Sequence, residues 1–214
     1  MLTPRWFVGT AGLPRTSGDM IVRSSIESDL ASITAIYDEA VRYGTASFEL
    51  DPPDLLEMTR RRAALIERGF PYLVAEKGKR VVGYAYAGPF RSRIAYHSTL
   101  ENSVYVDWAA RGSGIGRSLL QAMIAVSERT GFRQMVAVIG DSGNVASIRL
   151  HEACGFALVG TLRSVGWKHG RWLDTVLMQR ALGAGDASPS VDRIEDDNIP
   201  TGRHQDGIHR ASET

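Results

Sequence analysis

Cysteine is almost absent from this chain of 214 residues: Cys154 stands alone, so there is no intrachain disulfide framework and nothing requires an oxidising compartment. Neither sign of charge is in excess. Against 25 Lys and Arg stand 24 Asp and Glu, a net +1 that gives no electrostatic reason to expect a nucleic-acid partner. Long hydrophobic runs are missing too. None approaches the roughly 20 residues that span a bilayer, and the opening Met1-Leu-Thr-Pro-Arg-Trp-Phe-Val-Gly9 lacks the apolar stretch of a secretion signal. The five histidines have no zinc-like spacing with Cys154, so no metal is expected. These absences leave a cytoplasmic enzyme, without metal and without membrane contact, as the default expectation.

What is present is enough apolar sequence for one core, with periods that alternate along the chain. Residues 1–19 carry Gly, Pro, Thr and Ser without an apolar period and read as a disordered extension; Met20 is an alternative translation start to Met1. Residues 184–214 are rich in Gly, Asp, Ser, Pro and His and read as a disordered, dispensable tail. The domain is therefore expected over residues 20–183. Within it, Ser28 or Asp29 caps a helix with Leu30, Ile33, Ile36, Tyr37, Ala40 and Val41 on one face, stopped at Gly44. A second helix is expected to open at Pro52-Pro53 and end at Gly69, with Arg60-Arg61-Arg62 as a solvated face. Strands follow at 72–76 and 81–87, turned by Gly78-Lys79. Val104-Tyr-Val106 lies in a third, and a helix begins near Gly114. A buried strand at 135–139, a short helix at 146–153 and two strands flanking Lys168-His-Gly170 complete the pattern. The class is α/β (α+β): a mixed, mostly antiparallel central sheet flanked by helices.

The informative segment is Val104-Tyr-Val-Asp-Trp-Ala-Ala-Arg111-Gly112-Ser113-Gly114-Ile115-Gly116-Arg117. A strand enters a glycine loop that opens an amphipathic helix. Glycines let the backbone approach a ligand closely, and the free N–H groups and positive dipole end of the helix suit a pyrophosphate. A dinucleotide fingerprint read from Gly112 fails at Arg117, and the Gly-Lys-Ser/Thr of a triphosphate loop is missing. The pattern that fits is Arg-x-x-Gly-x-Gly.

On these residues the chain resembles the GNAT acetyltransferase superfamily, whose coenzyme A loop has that pattern. Asn144, Ser147 and Leu150-His-Glu-Ala-Cys-Gly-Phe156 match the family's second coenzyme A segment. Tyr86-Ala-Gly-Pro-Phe-Arg-Ser-Arg93, Glu101-Asn-Ser-Val-Tyr-Val106 and Gly166-Trp-Lys-His-Gly-Arg-Trp172 are similar to phosphinothricin N-acetyltransferases and their methionine sulfoximine-acetylating relatives, over about residues 20–182. The resemblance implies the GNAT fold and acetyl-CoA as co-substrate, held by Val104, Tyr105, Val106, residues 111–117, Asn144 and Ser147. It also implies a small amino-acid-like acceptor acetylated on its α-amino group, and a homodimer.

Acetyl transfer to an amine requires that an ammonium lose a proton, that an oxyanion be met by preplaced N–H donors, and that a thiolate leave. The resemblance places Glu101 as the base, a carboxylate beside low-dielectric walls whose pKa burial would raise. It places His151 as the group that protonates the thiolate, where many members carry tyrosine. It also places Arg91, Ser92 and Arg93, with Phe48 and Tyr96, around the acceptor pocket, where two guanidiniums could clamp carboxylate and phosphinate. Each has a plainer alternative: Glu101 as a surface residue at a strand start, His151 as a hydrogen-bonded helix residue, the arginines as solvated, Phe48 as packing. The physiological acceptor stays open, with a protein amino terminus or lysine as one alternative and a non-catalytic coenzyme A-binding module as another. The oxyanion donor is expected among the backbone N–H groups of residues 105–107.

Overall fold

The computed structural model describes residues 20–189, so the expectations for residues 1–19 and 190–214 lie outside the described residues. The chain runs β1 (Met20–Ser24), α1 (Leu30–Tyr43), α2 (Leu55–Glu67), β2 (Tyr72–Lys77), β3 (Arg80–Pro89), β4 (Thr99–Val106), α3 (Ile115–Arg129), β5 (Gln134–Gly140), α4 (Val145–Ala153), β6 (Ala157–Lys168) and β7 (Arg171–Ala181). The seven strands form one sheet in the order β1-β2-β3-β4-β5-β7-β6. Every neighbouring pair is antiparallel except β4–β5. That parallel step needs a crossover, which α3 supplies.

The two faces of the sheet bury different helices. Leu100, Ala85, Ala87 and Met135 join Ile115, Leu119 and Met123 of α3 in one cluster. Tyr72, Val74, Val81 and Tyr84 join Ile33, Tyr37 and Val41 of α1 and Met58 of α2 in the other. Successive strand residues face opposite sides. Hence Leu100, Asn102 and Val104 of β4 look toward α3, and Glu101, Ser103 and Tyr105 toward α1 and α2. Gly83 allows α3 its close seat: a Cβ there would lie 3.1 Å from Ile115 Cγ2 and 3.0 Å from the Tyr105 carbonyl oxygen.

Two local starts differ from the sequence expectation. The α2 helix begins at Leu55 and not at the prolines, because a residue before proline is pushed to extended backbone; Asp54 caps it, accepting from the Glu57 N–H at 2.8 Å. Asp29 precedes α1, yet its carboxylate turns back to the Ile26 N–H at 2.8 Å and to Arg23. The arginine run of α2 is more than a solvated face: Arg61 pairs with Glu49 at 2.6 Å, and Arg62 donates to the Ser25 carbonyl oxygen at 2.5 Å. After β7, Leu182 is buried, and residues 184–189, expected to belong to a disordered tail, instead form a turn that brings Ser188 Oγ within 2.7 Å of Arg133.

Candidate active site

β4 and β5 pair only at 99–102 against 134–137 and then part. Beyond that point β4 stays bonded to β3 and β5 to β7, so each presents one unpaired edge to the gap. The gap is a cleft lined by Ser103, Val104 and Tyr105 on one side and Val138, Ile139 and Gly140 on the other, with Asn144, Ser147 and His151 of the α4 region across it. Two backbone edges facing one slot suit an extended molecule carrying amides, which can bond to either edge as an added strand would. Pantetheine is such a molecule.

The glycine loop stands at the same end of β4. Asp107 accepts from the Ala109 N–H at 2.9 Å and starts a short turn at Trp108–Ala110. Arg111 lies 4.1 Å over the Trp108 ring. Gly112 and Gly114 follow with φ of 75° and 82°, values that side-chain-bearing residues resist. Gly114 occupies the N-cap position of α3 with no side chain to accept a bond, so the first-turn N–H groups remain for an anion. Ser113 turns its hydroxyl inward, donating to the Ala110 carbonyl oxygen at 2.5 Å, while Arg117 is exposed. The Ile115 side chain is buried in the core, leaving only its backbone for a ligand. Gly116 keeps α4 close: a Cβ there would be 3.3 Å from Leu150 Cδ2. Val106 likewise packs on the core beyond the residues that line the cleft.

On the opposite face, Glu101 is half-buried opposite Gly88, which puts no side chain beside it. Burial pushes its pKa up, and the positive charge of Arg91 opposes that rise. Arg91 and Arg93 are exposed and pair with no acidic side chain among the described residues; Arg91 lies 4.8 Å over the Phe90 ring, which meets Tyr96 edge-on at 5.7 Å. Ser92 is exposed between them. Phe48, on the loop between α1 and α2, is seated against Gly140, where a Cβ would lie 3.0 Å from its ring. Of the residues expected around the acceptor, Arg91 lies near enough to Glu101 to act on its charge, Phe90 and Tyr96 meet beside Arg91, and Phe48 packs on Gly140 at the wall of the cleft.

His151 belongs to the cleft side. It is 4 % exposed, with Nδ1 2.8 Å from the Ser147 carbonyl oxygen and Nε2 3.0 Å from Asn102 Nδ2. The first contact requires a proton on Nδ1, so Nε2 accepts from the amide and carries none. Burial lowers the imidazole pKa, and the Ser147 carbonyl only partly offsets it. As placed, the resting imidazole of His151 is neutral, with Nε2 turned to Asn102 at the edge of the cleft. Asn144 spends its side-chain oxygen capping α4, accepting from the Ser147 N–H at 3.2 Å.

Sequence reasoning did not single out Asn102, although it shares the core-facing parity of Leu100 and Val104, where a polar residue is conspicuous. Its Oδ1 is buried beside the cleft without a partner among the described residues. A group with a donor N–H laid in the cleft would satisfy it, so the residues present fit a pantetheine-bearing co-substrate. Cys154 is buried, as expected of a packing residue, and no cluster of metal-ligating side chains occurs among the described residues.

A split parallel strand pair with a glycine loop at a helix start defines an acyl-coenzyme A-dependent transferase. The acetyltransferase (GNAT) domain model matches residues 22–177, and the chain belongs to this family as an acetyl-CoA-dependent N-acetyltransferase. It is 55% identical over 167 residues to the phosphinothricin N-acetyltransferase of Alcaligenes faecalis, covering 78% of this chain and 85% of the relative. It is 40% identical over 169 residues to an L-methionine sulfoximine/L-methionine sulfone acetyltransferase of Pseudomonas aeruginosa, 78% and 98% covered. Among solved structures it is similar to a GNAT superfamily phosphinothricin acetyltransferase from Sinorhizobium meliloti in complex with AcCoA, with TM-score 0.80 and 43% identity over 85% of this chain and 98% of that one.

Proposed function

We propose that the acceptor is a free amino acid with an oxidised sulfur or phosphinate on its side chain, in the class of methionine sulfone, methionine sulfoximine and phosphinothricin. The observation that carries this reading is the pair Arg91 and Arg93, both exposed and in no salt bridge among the described residues, with the Arg91 charge acting on Glu101. Two guanidiniums suit an α-carboxylate and a second anionic or strongly polar oxygen group. Glu101 takes the proton from the bound ammonium, directly or through one water, since its raised pKa brings it nearer to neutral pH. The N–H groups of residues 112–117 hold the coenzyme A pyrophosphate, and the β4 edge at 104–106 orients the thioester, with a backbone N–H of residues 105–107 facing the developing oxyanion. When bound, acetyl-CoA supplies the activated acetyl group, and no covalent enzyme intermediate is needed. A screen of acetyl-CoA with amino acids and their sulfone, sulfoximine and phosphinate analogues tests this. Turnover of the analogues at least tenfold above that of plain methionine supports the reading, and turnover of peptide amino termini alone defeats it.

The enzyme works in the cytoplasm as a homodimer, and acetylating phosphinothricin would make it a herbicide-resistance determinant. Support for the dimer comes from β6, the sheet's last strand, which leaves Leu158, Val159, Leu162 and Val165 exposed beside the exposed Trp167 and Trp172. No described helix is long and apolar enough to cross a membrane. Sedimentation at micromolar concentration gives the oligomeric state.

A further inference from the structure

The hairpin joining β6 and β7 carries Gly166-Trp-Lys-His-Gly-Arg-Trp172; Arg171 pairs with Asp141, while Gly166, Lys168 and His169 all meet the loop at residues 44–51 between α1 and α2. Lys168 is 4 % exposed, an unusual burial for a lysine, and its Nζ donates to the Ser47 carbonyl oxygen at 2.7 Å. The neighbouring His169 brings Nε2 to 3.2 Å from the Gly44 carbonyl oxygen. Ser47 is held from its other side, its hydroxyl 2.9 Å from the Tyr37 hydroxyl, which donates to Glu49 at 3.0 Å. Gly166 leaves the space that the Phe48 ring fills, since a Cβ there would clash with that ring, and a Cβ at Gly140 would run into the Thr45 carbonyl oxygen. The residues of the loop fixed in this way meet the reacting centre: Ala46 lines the cleft with Ser103, Val104 and His151, and Phe48 lies over Gly140.

We propose that Lys168 is a positioning residue for the acceptor site, its buried ammonium pinning the 44–51 loop so that Ala46 and Phe48 close the junction between the acceptor face and the cleft. A buried ammonium has a desolvation cost that a packing role does not require, since a methionine would fill the same volume. The charge is kept where it can bind a loop carbonyl that no strand satisfies. The glycine loop and α4, which carry most of the coenzyme A contacts, lie on other elements; the pinned loop reaches the cleft only through Ala46 and Phe48, so the pin acts chiefly on the amine.

The test deepens the acceptor reading given above and is arranged to fail separately from it. Lys168→Met keeps the apolar stem and removes the donor. Chymotrypsin cleavage after Tyr43 and Phe48 should then speed up severalfold, while acetyl-CoA affinity by calorimetry stays within about twofold. The acceptor kcat/KM should fall roughly 10- to 100-fold, mainly through KM, as expected for losing a hydrogen bond to a charged group. Gly166→Ala, which keeps Lys168 but displaces the Phe48 ring, should give the same acceptor-side loss and decides the matter if the methionine variant fails to fold. Unchanged cleavage, unchanged acceptor kinetics, or equal losses for acceptor and acetyl-CoA would each overturn the proposal. Absence of turnover in the wild-type enzyme with every amino-acid analogue would sink the acceptor reading alone, because cleavage and acetyl-CoA affinity still report the pin.

Discussion

Asn102 Nδ2 lies 3.0 Å from His151 Nε2, while the other ring nitrogen of His151 lies 2.8 Å from the Ser147 carbonyl oxygen. Two fixed partners thus select one neutral tautomer of a buried imidazole, with its proton on Nδ1, and Asn102 ties β4 to α4 across the base of the cleft. A histidine held so is a poor source of protons near neutral pH.

The first prediction concerns that imidazole. Its pKa lies below the ordinary 6.5, so the folded state binds fewer protons than the unfolded chain once pH drops toward that value. Stability is therefore fully present above about 6.5 and is lost as pH falls through the lower folded value. Nitrogen-15 NMR of the ring should show neutral His151 with Nδ1 protonated at pH 6.5. Asn102→Asp, which sets a carboxylate against Nε2, should raise the pKa. An imidazolium at pH 6.5 in the wild-type protein would return His151 to the role of loaded acid.

Gly114 decides the coenzyme A loop. At φ of 82° it occupies the left-handed region with open space around it, so a substitution there meets strain and no clash. Gly114→Val should cost about 1–2 kcal/mol in the native loop or shift the loop to avoid that cost. In either case acetyl-CoA affinity drops about tenfold or more by calorimetry while the circular dichroism spectrum is kept. Unchanged affinity would move the pyrophosphate elsewhere.

Much of this architecture was readable in advance because local chemistry and tertiary packing agree. The Gly78-Lys79 turn has positive φ at both residues, the I′ geometry that a two-residue hairpin needs. The α1 stripe matches the buried residues found on that helix. Where local rules misled, a specific competitor won. Pro53 restricts Pro52 and hands the α2 cap to Asp54, and Arg23 takes the Asp29 carboxylate for β1. The tie from Lys168 to Ser47 joins residues 121 positions apart in sequence, so no period or spacing could announce it. The tautomer of His151 was equally hidden, because it depends on which residue of β4 lies opposite α4.

Arg91 and Arg93 carry the acceptor prediction. Both are exposed, so on the proposed function their contribution would come from charged hydrogen bonds to the substrate and not from the fold. Replacing either with alanine should leave the melting temperature within about 2 °C, since surface changes rarely exceed 0.5 kcal/mol. The acceptor KM should rise about 10- to 150-fold, equivalent to the roughly 1.5–3 kcal/mol of a charged hydrogen bond. The acetyl-CoA KM should hold. Steady-state kinetics varying each substrate in turn distinguishes this from a structural role, which would move both constants together.

Glu101 offers a prediction in which activity and stability move in opposite directions. Burial raises its pKa, so the folded protein binds the Glu101 proton more tightly than the unfolded chain does. Stability from this group is then present below the ordinary glutamate pKa, about 4.3, and is lost as pH rises through the elevated folded value. Above that value the carboxylate is ionised at a cost to the fold. Glu101→Gln removes that cost together with the basic site. The variant should melt higher than the wild type at pH 7, and the gap should close as pH falls toward 4. Its kcat should drop about 10²- to 10⁴-fold, the usual contribution of a general base, with acetyl-CoA affinity intact because the glycine loop is untouched. The acidic limb of the kcat/KM profile should weaken, leaving only the limb set by the amine's own ionisation. Paired melting curves and pH-rate profiles of the two proteins check this. A glutamine variant that is less stable at pH 7, yet keeps near-normal kcat, would show Glu101 to be a structural carboxylate and leave the ammonium to lose its proton to solvent before it binds.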